Sequence, residues 1–264
     1  MRSSRVKAKL ANDEPVLVTT LHLSDPSLFE MTSLMGFDAI WIDMEHHCHS
    51  VETAAGMMRA ARVGTSDIIA RPAKGEFMRM ARMLEIGAHG IMYPRCDHAE
   101  EAAEVVRWSK FAPLGERGID GAGADAPYCF MPIADYIEEA NRQTFVIIQL
   151  EQAHAIDAAE SIAAVEGVDI LMIGPGDLSV LSGVPGQLNH PLVRDAIERV
   201  ADAARGAGKH WGTTCRGPED AARLLDMGAR FICLGADILM VKEGMEKIQR
   251  DCAPLGFTFD PRLA

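Results

Sequence analysis

Two acidic residues, Glu151 and Asp177, follow short apolar segments of this 264-residue chain. Glu151 comes directly after Phe-Val-Ile-Ile-Gln-Leu, and Asp177 comes after Ile-Leu-Met-Ile and a Gly-Pro-Gly turn. Two carboxylates that lie close together repel each other and raise a pKa unless a cation sits between them. Oxygen ligands with open positions for water and substrate suit Mg²⁺ or Mn²⁺. The pair is therefore either a divalent-metal site or two acids that interact with helix amino-termini.

Asp43, Glu45 and His46 follow another apolar segment, Ala-Ile-Trp-Ile. An aspartate three residues before a histidine can hold the imidazole in one tautomer and raise its basicity. The spacing predicts that His46, supported by Asp43, is a general base; the alternative is a solvated loop histidine, as we expect for His47 and His49. A zinc site in this His-His-Cys-His run is disfavoured, because consecutive residues of one short loop seldom surround a tetrahedral metal.

A guanidinium and a glycine-containing turn extend this set of polar groups. Arg71 ends an apolar segment directly before Pro72. Its side chain can bind a carboxylate or an enolate oxygen in bidentate fashion, or it can pair with the neighbouring acids. The turn at 174–177 presents backbone N–H groups to a carboxylate, and Gly176 allows the close approach of a ligand. We therefore predict that Arg71, Gly176 and Asp177 bind substrate.

Residues so far apart in the chain meet only if the fold brings their segments together. Short segments rich in apolar and β-branched residues alternate with segments of helical periodicity, which is the pattern of βα units around a parallel sheet. Eight strands are predicted near 15–20, 38–43, 67–71, 90–94, 144–151, 169–174, 210–214 and 230–235. This pattern predicts an α/β protein with a (β/α)8 TIM barrel as a single domain over 1–264.

The segments between the predicted strands carry helix signals. An apolar stripe at helical spacing runs through 193–204, and Pro191 and Pro218 suit the first turns of their helices. Four glycines stand where a left-handed residue would end a helix before the next strand: Gly36, Gly87, Gly167 and Gly228. These turns lie at one end of the barrel. The candidate residues lie at the other end, where barrel enzymes carry their active sites.

One predicted connection, 111–135, is much longer than the others and contains four glycines: Gly115, Gly118, Gly121 and Gly123. It follows the helix after the fourth strand. A loop of this length in a compact domain is a functional lid, an interface arm or a disordered excursion. The sequence leaves these three interpretations open.

The composition excludes several classes of function. Lys and Arg total 26 against 38 Asp and Glu, so the formal net charge is −12. Such a chain repels the phosphates of nucleic acid, and no basic run offsets the charge. No apolar stretch approaches the length of a membrane span. The six cysteines are scattered, which favours free thiols in the cytoplasm and small molecules as partners.

Several segments together resemble the HpcH/HpaI aldolase family. These are GFDAIWIDMEHH at 36–47, ARPAKGE at 70–76, LEIGAHGIMYPRCDHAEEA at 84–102, the stretch 146–193 with Gln-x-Glu and Ile-Gly-Pro-x-Asp-Leu-Ser, and LLDMGARFICLGADILMV at 224–241. The family comprises metal-dependent, class II pyruvate aldolases that include 4-hydroxy-2-oxoheptanedioate aldolase and 2-keto-3-deoxy-rhamnonate aldolase. The match covers nearly the whole chain in order.

The resemblance implies a metal and a substrate. Glu151 and Asp177 would hold the divalent ion, Mg²⁺ or Mn²⁺, with Co²⁺ or Zn²⁺ as further options. Pyruvate would reach the metal through its carboxylate and ketone, assisted by backbone amides near Gly176 and Asp177. The partners would be a 2-oxo acid and an aldehyde.

The resemblance also implies roles for the second group of residues. His46, supported by Asp43, would act as a base through water, Arg71 would contact the keto acid, and Glu45 would have a supporting role. Family members assemble as hexamers that exchange the last barrel helix, so a homo-oligomer is expected.

The chain departs from the family pattern at positions expected to shape the aldehyde end of the pocket. Ala73-Lys74-Gly75-Glu76 replaces a Trp-Asn sequence, Arg95-Cys96-Asp97-His98 is unusual, and the loop diverges at 119–123. The identity of the aldehyde therefore stays open.

Three rival functions remain. A Schiff-base aldolase needs a lysine at the C-terminal end of a strand, and none is predicted there, since Lys209 begins strand 7 and Lys74 lies in a loop. An acyl-CoA lyase of the citrate lyase β type needs a site for nucleotide phosphates. A catalytically silent barrel would serve only for binding.

Overall fold

The computed structural model of the protein describes residues 1–260 and contains eight parallel strands that close into a barrel. Each strand pairs with the next one in the chain, and the last pairs with the first. The strands are β1 (Val16–Leu21), β2 (Ala39–Asp43), β3 (Asp67–Arg71), β4 (Gly90–Tyr93), β5 (Phe145–Leu150), β6 (Ile170–Ile173), β7 (His210–Cys215) and β8 (Phe231–Ala236). The predicted (β/α)8 TIM barrel is confirmed. The predicted single domain, 1–264, ends with 261–264, outside the described residues.

Helices connect the strands and surround the barrel. They are α1 (Arg5–Ala11), α2 (Pro26–Leu34), α3 (Val51–Ala60), α4 (Phe77–Ile86), α5 (Ala99–Ser109), α6 (Ile133–Gln143), α7 (Ala153–Asp157), α8 (Ala159–Ala163), α9 (Pro175–Leu181), α10 (Pro191–Gly206), α11 (Pro218–Asp226) and α12 (Asp237–Cys252). The four predicted cap glycines all have positive φ, between 85° and 125°. Within residues 1–260, no helix combines the length and the apolar character needed to cross a lipid bilayer.

Side chains alternate between the inside and the outside of the barrel along each strand. The inner core contains side chains from most of the strands and from α1, which closes the amino-terminal end through Val6 and Leu10. A second, larger core lies between the strands and the helices. On β2, β3 and β5 the inward alternation continues to the polar residues Asp43, Arg71 and Gln149. These side chains therefore lie above the inner core, at the C-terminal mouth of the barrel.

The last helix, α12, does not cover the barrel. Its only buried residue is Asp237, and it exposes a row of apolar side chains: Ile238, Leu239, Met240, Val241, Met245 and Ile248. On the outer face of β1, Leu17 is 39% exposed. The outer surface near the junction of β8 and β1 thus lacks the helix that a closed barrel needs there.

The long connection after α5 packs at the amino-terminal end of the barrel. Arg117 pairs with Asp125 at 2.7 Å, the Tyr136 hydroxyl donates to Asp125 at 2.6 Å, and the Ala124 amide donates to the carbonyl of Glu85 near the end of α4 at 3.1 Å. A connection from a helix to the next strand starts at this end. The interpretation of 111–135 as a lid over its own mouth is therefore wrong, and 119–123 does not shape the aldehyde end within one protomer.

Candidate active site

Arg71 and Asp43 form a buried ion pair at the C-terminal mouth. The guanidinium donates from Nη2 to Asp43 Oδ2 at 2.7 Å and from Nε to Asp43 Oδ1 at 3.0 Å, in a bidentate arrangement. Its Cζ lies 4.5 Å from the centroid of the Trp41 ring, and Nη1 donates to Gln149 Oε1 at 3.4 Å. Two of its five N–H groups have no partner within residues 1–260. Arg71 therefore retains two donors that an anionic ligand could use, and its Nε also lies 3.4 Å from Glu45 Oε2.

The charge of Arg71 determines the ionisation of Asp43. Burial alone would raise the pKa of this carboxyl, but the hydrogen bonds and the charge of Arg71 outweigh burial and lower the pKa. The lowered pKa favours the ionised form of Asp43, whose two hydrogen bonds with Arg71 hold the guanidinium in place.

Glu151 is a buried carboxylate among other acids. Only 2% of the residue is exposed, and Oε2 accepts a hydrogen bond from the backbone N–H of Arg95 at 3.0 Å. Burial and then the charge of Asp177 raise the pKa of Glu151 to about 7; Glu45 adds to this effect and Arg71 opposes it. A carboxylate in such surroundings needs either a proton or a cation.

Asp177 reaches the mouth from the first turn of α9 and is exposed. The turn before it begins at Gly174, where an added Cβ would overlap Glu151 Oε1, so glycine leaves the room that this carboxylate occupies. No atom lies within 4 Å of a Cβ added at Gly176. The space beside Gly176 is therefore open to a ligand.

The carboxylates of this mouth fit a hard divalent cation. Asp43, Glu45, Glu151 and Asp177 face a single guanidinium, so a metal ion between Glu151 and Asp177 would relieve their repulsion. Within residues 1–260, no three His, Cys, Asp or Glu side chains surround one point. Water and substrate oxygens would therefore complete the coordination.

The loop after β2 differs from the prediction. Asp43 Oδ1 accepts hydrogen bonds from the backbone N–H groups of Glu45 at 3.0 Å and His46 at 3.4 Å. The His46 imidazole lies 3.6 Å from Glu45 Oε2, and its side chain is 58% exposed. The prediction that Asp43 orients the His46 ring is wrong, because Arg71 and the loop backbone occupy the Asp43 carboxylate. The role of His46 as a base stays a prediction.

Sequence reasoning assigned no role to two residues that complete the mouth. Trp41 stacks on Arg71, and Gln149 accepts a hydrogen bond from it. Each lies two residues before a predicted site residue on the same strand or at its end. Because strand side chains alternate with a period of two, this spacing was the available signal for both.

The fold and this mouth define a class of protein. The sequence profile described as HpcH/HpaI aldolase/citrate lyase matches residues 18–243, and the chain belongs to this family. The predicted resemblance is confirmed, and a lyase of the aldolase type on a (β/α)8 barrel is the class that the family and its members support.

Comparison with individual relatives shows which aldolases of this family the chain is similar to. The chain is 34% identical over 237 residues to hydroxypyruvate/pyruvate aldolase of Delftia acidovorans, covering 90% of this chain and 88% of that protein. It is 34% identical over 242 residues to 4-hydroxy-2-oxo-heptane-1,7-dioate aldolase of Shigella sonnei, covering 92% of each. The crystal structure of an HpcH/HpaI aldolase from Desulfitobacterium hafniense superposes with a TM-score of 0.88 at 29% identity, covering 97% of this chain and 98% of that one.

Proposed function

We propose that this chain is a divalent-metal-dependent aldolase that cleaves or forms 4-hydroxy-2-oxo acids through the enolate of pyruvate. The observation that carries the proposal is the buried Glu151, whose pKa is raised to about 7 beside Asp177, facing a guanidinium with unused N–H groups. The names of the relatives support a 2-oxo acid and an aldehyde as the reacting partners.

In this proposal, different residues of the mouth bind different parts of the substrate. Glu151 and Asp177 would hold the divalent ion, which would supply Lewis-acid polarisation of the C2 ketone. The unused N–H groups of Arg71 bind the keto acid, and Asp43 positions the guanidinium from behind. The open backbone at Gly176 and Asp177 contributes N–H groups to the carboxylate. The Arg71 guanidinium is held by Asp43 before substrate arrives, which is an arrangement that favours developing negative charge.

Cleavage requires a base at the C4 hydroxyl. Removal of the hydroxyl proton breaks the C3–C4 bond and leaves an aldehyde and the enolate of pyruvate. His46 would then help to manage the proton that converts the enolate to pyruvate, with Glu45 at 3.6 Å as its support.

A substrate panel with controlled metal content tests this function. The protein, stripped by exhaustive chelation, is assayed for pyruvate release from 4-hydroxy-2-oxo acids that differ at the aldehyde end. Turnover should appear on addition of Mg²⁺, Mn²⁺, Co²⁺ or Zn²⁺ and should be absent without them. Activity that survives chelation and does not respond to added metal refutes the proposal.

A Schiff-base mechanism has no support among the lysines near the mouth. Burial would lower the pKa of Lys74, but its contacts with Asp97 at 2.6 Å and Glu101 at 3.3 Å outweigh burial and raise the pKa. A lysine that stays charged is a poor amine nucleophile. Borohydride trapping with pyruvate should leave no covalent adduct.

Two other rivals are separated by direct assay. An acyl-CoA lyase of the citrate lyase β type would act on a coenzyme A thioester and ignore 4-hydroxy-2-oxo acids. A catalytically silent barrel would turn over neither. The surplus of negative charge at the mouth disfavours the nucleotide phosphates of coenzyme A.

We also propose a homo-oligomer, a hexamer by family resemblance, in which α12 of one protomer covers the open β8–β1 face of its partner. The apolar row on α12 and the exposed Leu17 support this assembly. Met245→Glu should give smaller species in light scattering after gel filtration. Lys247→Glu, on the same helix, should not, and an unchanged Met245→Glu assembly contradicts the proposal.

The cellular setting follows from the surface and the thiols. All six cysteines are free, which supports a reducing compartment, and we propose the cytoplasm. The net charge of −12 supports small molecules rather than nucleic acid as partners.

A further inference from the structure

A second histidine–aspartate pair lies on the other side of the mouth from Glu151. His22 follows β1, and Asp237 begins α12 directly after β8, so closure of the barrel brings them together. His22 Nδ1 lies 3.0 Å from Asp237 Oδ1. The same carboxylate accepts hydrogen bonds of 2.8 to 3.0 Å from the backbone N–H groups of His22, Leu23 and Ile238. Asp237 is buried, with 2% of the residue exposed.

These contacts determine which nitrogen of His22 carries the proton. Burial alone would raise the pKa of Asp237, but its hydrogen bonds outweigh burial and lower the pKa. An ionised carboxylate only accepts hydrogen bonds, so Nδ1 of His22 donates. In the neutral imidazole Nε2 then holds the lone pair, and it has no hydrogen-bond partner within residues 1–260. The ring is thus oriented and its other nitrogen is available.

The His22 ring is connected to the candidate active site through contacts with a neighbouring histidine. It packs edge-on against the His47 ring, with 4.6 Å between centroids, and His47 Nε2 lies 4.0 Å from Asp43 Oδ2. The titratable groups around His22 are therefore Asp237, His47 and, beyond His47, His49 and Asp43.

The strand order of the barrel places His22 on the side of the mouth opposite Glu151. In a closed eight-stranded barrel, β1 lies across the mouth from β5. If the 2-oxo acid is bound at Glu151 and Asp177, on the β5 and β6 side, the aldehyde end of the substrate would extend across the mouth toward β1. His22 stands on that side.

Two observations favour His22 over His46 as the base at the C4 hydroxyl. The His22 side chain is 22% exposed, whereas that of His46 is 58% exposed. His22 also has a buried carboxylate that fixes its tautomer, whereas the carboxylate expected to serve His46 is bound to Arg71. A base of fixed orientation and limited solvation is the more effective one.

We propose that His22, oriented by Asp237, accepts the proton of the C4 hydroxyl during cleavage. The hydroxyl proton moves to Nε2, the O–H electron pair forms the aldehyde C=O, and the C3–C4 electron pair remains with pyruvate as its enolate. The enolate C3 then takes a proton from water with the help of His46, as proposed above, and His22 releases its own proton to water. The inference rests on the proposed function and adds the identity of the base.

His22→Asn tests the proposal, because the amide can still donate to Asp237 but lacks the Nε2 lone pair. His46→Asn is the matched control. Each variant is assayed with metal in two reactions: cleavage of a 4-hydroxy-2-oxo acid, and decarboxylation of oxaloacetate, which forms the same enolate without a hydroxyl proton to remove. His22→Asn should lower kcat for cleavage by about 100-fold or more and leave decarboxylation close to wild type. His46→Asn should have the smaller effect on cleavage.

Other outcomes overturn the inference. Normal cleavage by His22→Asn contradicts it, and selective loss of cleavage in His46→Asn alone assigns the base to His46. If both reactions fall together in His22→Asn, imidazole added to His22→Gly decides: restored cleavage supports the proposal, and no restoration overturns it. Wild-type protein that performs neither reaction with any of the metals refutes the proposed function itself, so the two failures are distinguishable.

Discussion

Two buried arginine–aspartate pairs lie at opposite ends of this barrel. Arg71 and Asp43 meet at the C-terminal mouth, and Arg117 and Asp125 meet in the long loop at the amino-terminal end. Both pairs have an N–O distance of 2.7 Å, and both guanidinium groups lie over an aromatic ring, at 4.5 Å and 4.6 Å. The two pairs differ in their hydrogen bonds, because Arg71 donates to both oxygens of Asp43 whereas Arg117 donates to Asp125 through Nη2.

Their surroundings differ. The neutral hydroxyl of Tyr136 closes the pair at the loop, where the Arg117 and Asp125 side chains are 1% and 2% exposed. Each pair has a further carboxylate nearby whose pKa is raised by burial, Glu85 at the loop and Glu151 at the mouth, where the pKa reaches about 7. At the mouth the exposed Asp177 adds a second carboxylate beside Glu151. A buried ion pair is therefore not in itself a functional site. The open space beside Gly176 and the exposed Asp177 distinguish the pair that can bind a ligand from the pair that stabilises a loop.

Neutralising one carboxylate at each end of the barrel should give the largest difference in effect between the two ends. Asp177→Asn should lower metal-dependent turnover by about 1000-fold or more. It should not lower the melting temperature of the metal-free protein, because Asp177 is exposed and its charge repels Glu151. Asp125→Asn should keep turnover and lower the melting temperature. Steady-state kinetics and calorimetry measure both effects. An active Asp177→Asn variant would remove the main support for the metal site.

Replacing each arginine by methionine removes the positive charge from each pair and tests whether the two pairs have different roles. Arg117→Met leaves the buried Asp125 without its positive charge, with only the Tyr136 hydroxyl as a side-chain donor, and should cost about 3 kcal/mol of unfolding free energy in urea denaturation. Arg71→Met removes a contact to substrate and should lower kcat/KM by about 100-fold at temperatures where the protein is folded. A folded but inactive Arg117→Met variant would contradict the conclusion that Arg117 only stabilises the loop.

Glu151→Gln should stabilise the protein while it inactivates the site. A raised pKa means that the folded state holds the proton more tightly than the unfolded state. The stability from Glu151 is therefore present below the unfolded pKa of about 4.3 and is lost as pH rises through about 7. At about pH 8 and without metal, the free energy of unfolding of Glu151→Gln should be higher than that of wild type by roughly 2 kcal/mol. Equal melting curves for the two metal-free proteins would contradict this reading of Glu151.

Metal binding should depend on the same proton. Mn²⁺ needs the ionised carboxylate, so its affinity should fall by about tenfold per pH unit below the Glu151 pKa of about 7. Isothermal titration calorimetry in buffers of different ionisation enthalpy should also detect release of a proton. Affinity that does not change with pH in this range would argue that Glu151 is not a ligand.

The fold was predictable because its signals are local and repeated. Each strand segment, such as 67–71, has its own apolar pattern, and each cap glycine, such as Gly87, needs only its own positive φ. Glu151 and Asp177 were found for the same reason, since each follows its strand directly in the chain.

The errors have a common cause. The partner of Asp43 was sought three residues away at His46, but the carboxylate pairs with Arg71 on the neighbouring strand. The loop 111–135 was considered as a lid, but its starting helix determines that it packs at the other end of the barrel. In both cases the prediction used a local sequence pattern, but contacts between residues far apart in the chain determine the structure.

The sequence by itself determined the barrel, the family and the carboxylates that end β5 and begin α9. Only the tertiary structure decided which charges compensate each other, that α12 leaves the barrel uncovered, and that His22 meets an aspartate 215 residues away. The physical reason is the closure of the sheet. Pairing of β8 with β1 joins the two ends of the chain, and no local periodicity records which side chains that closure brings into contact.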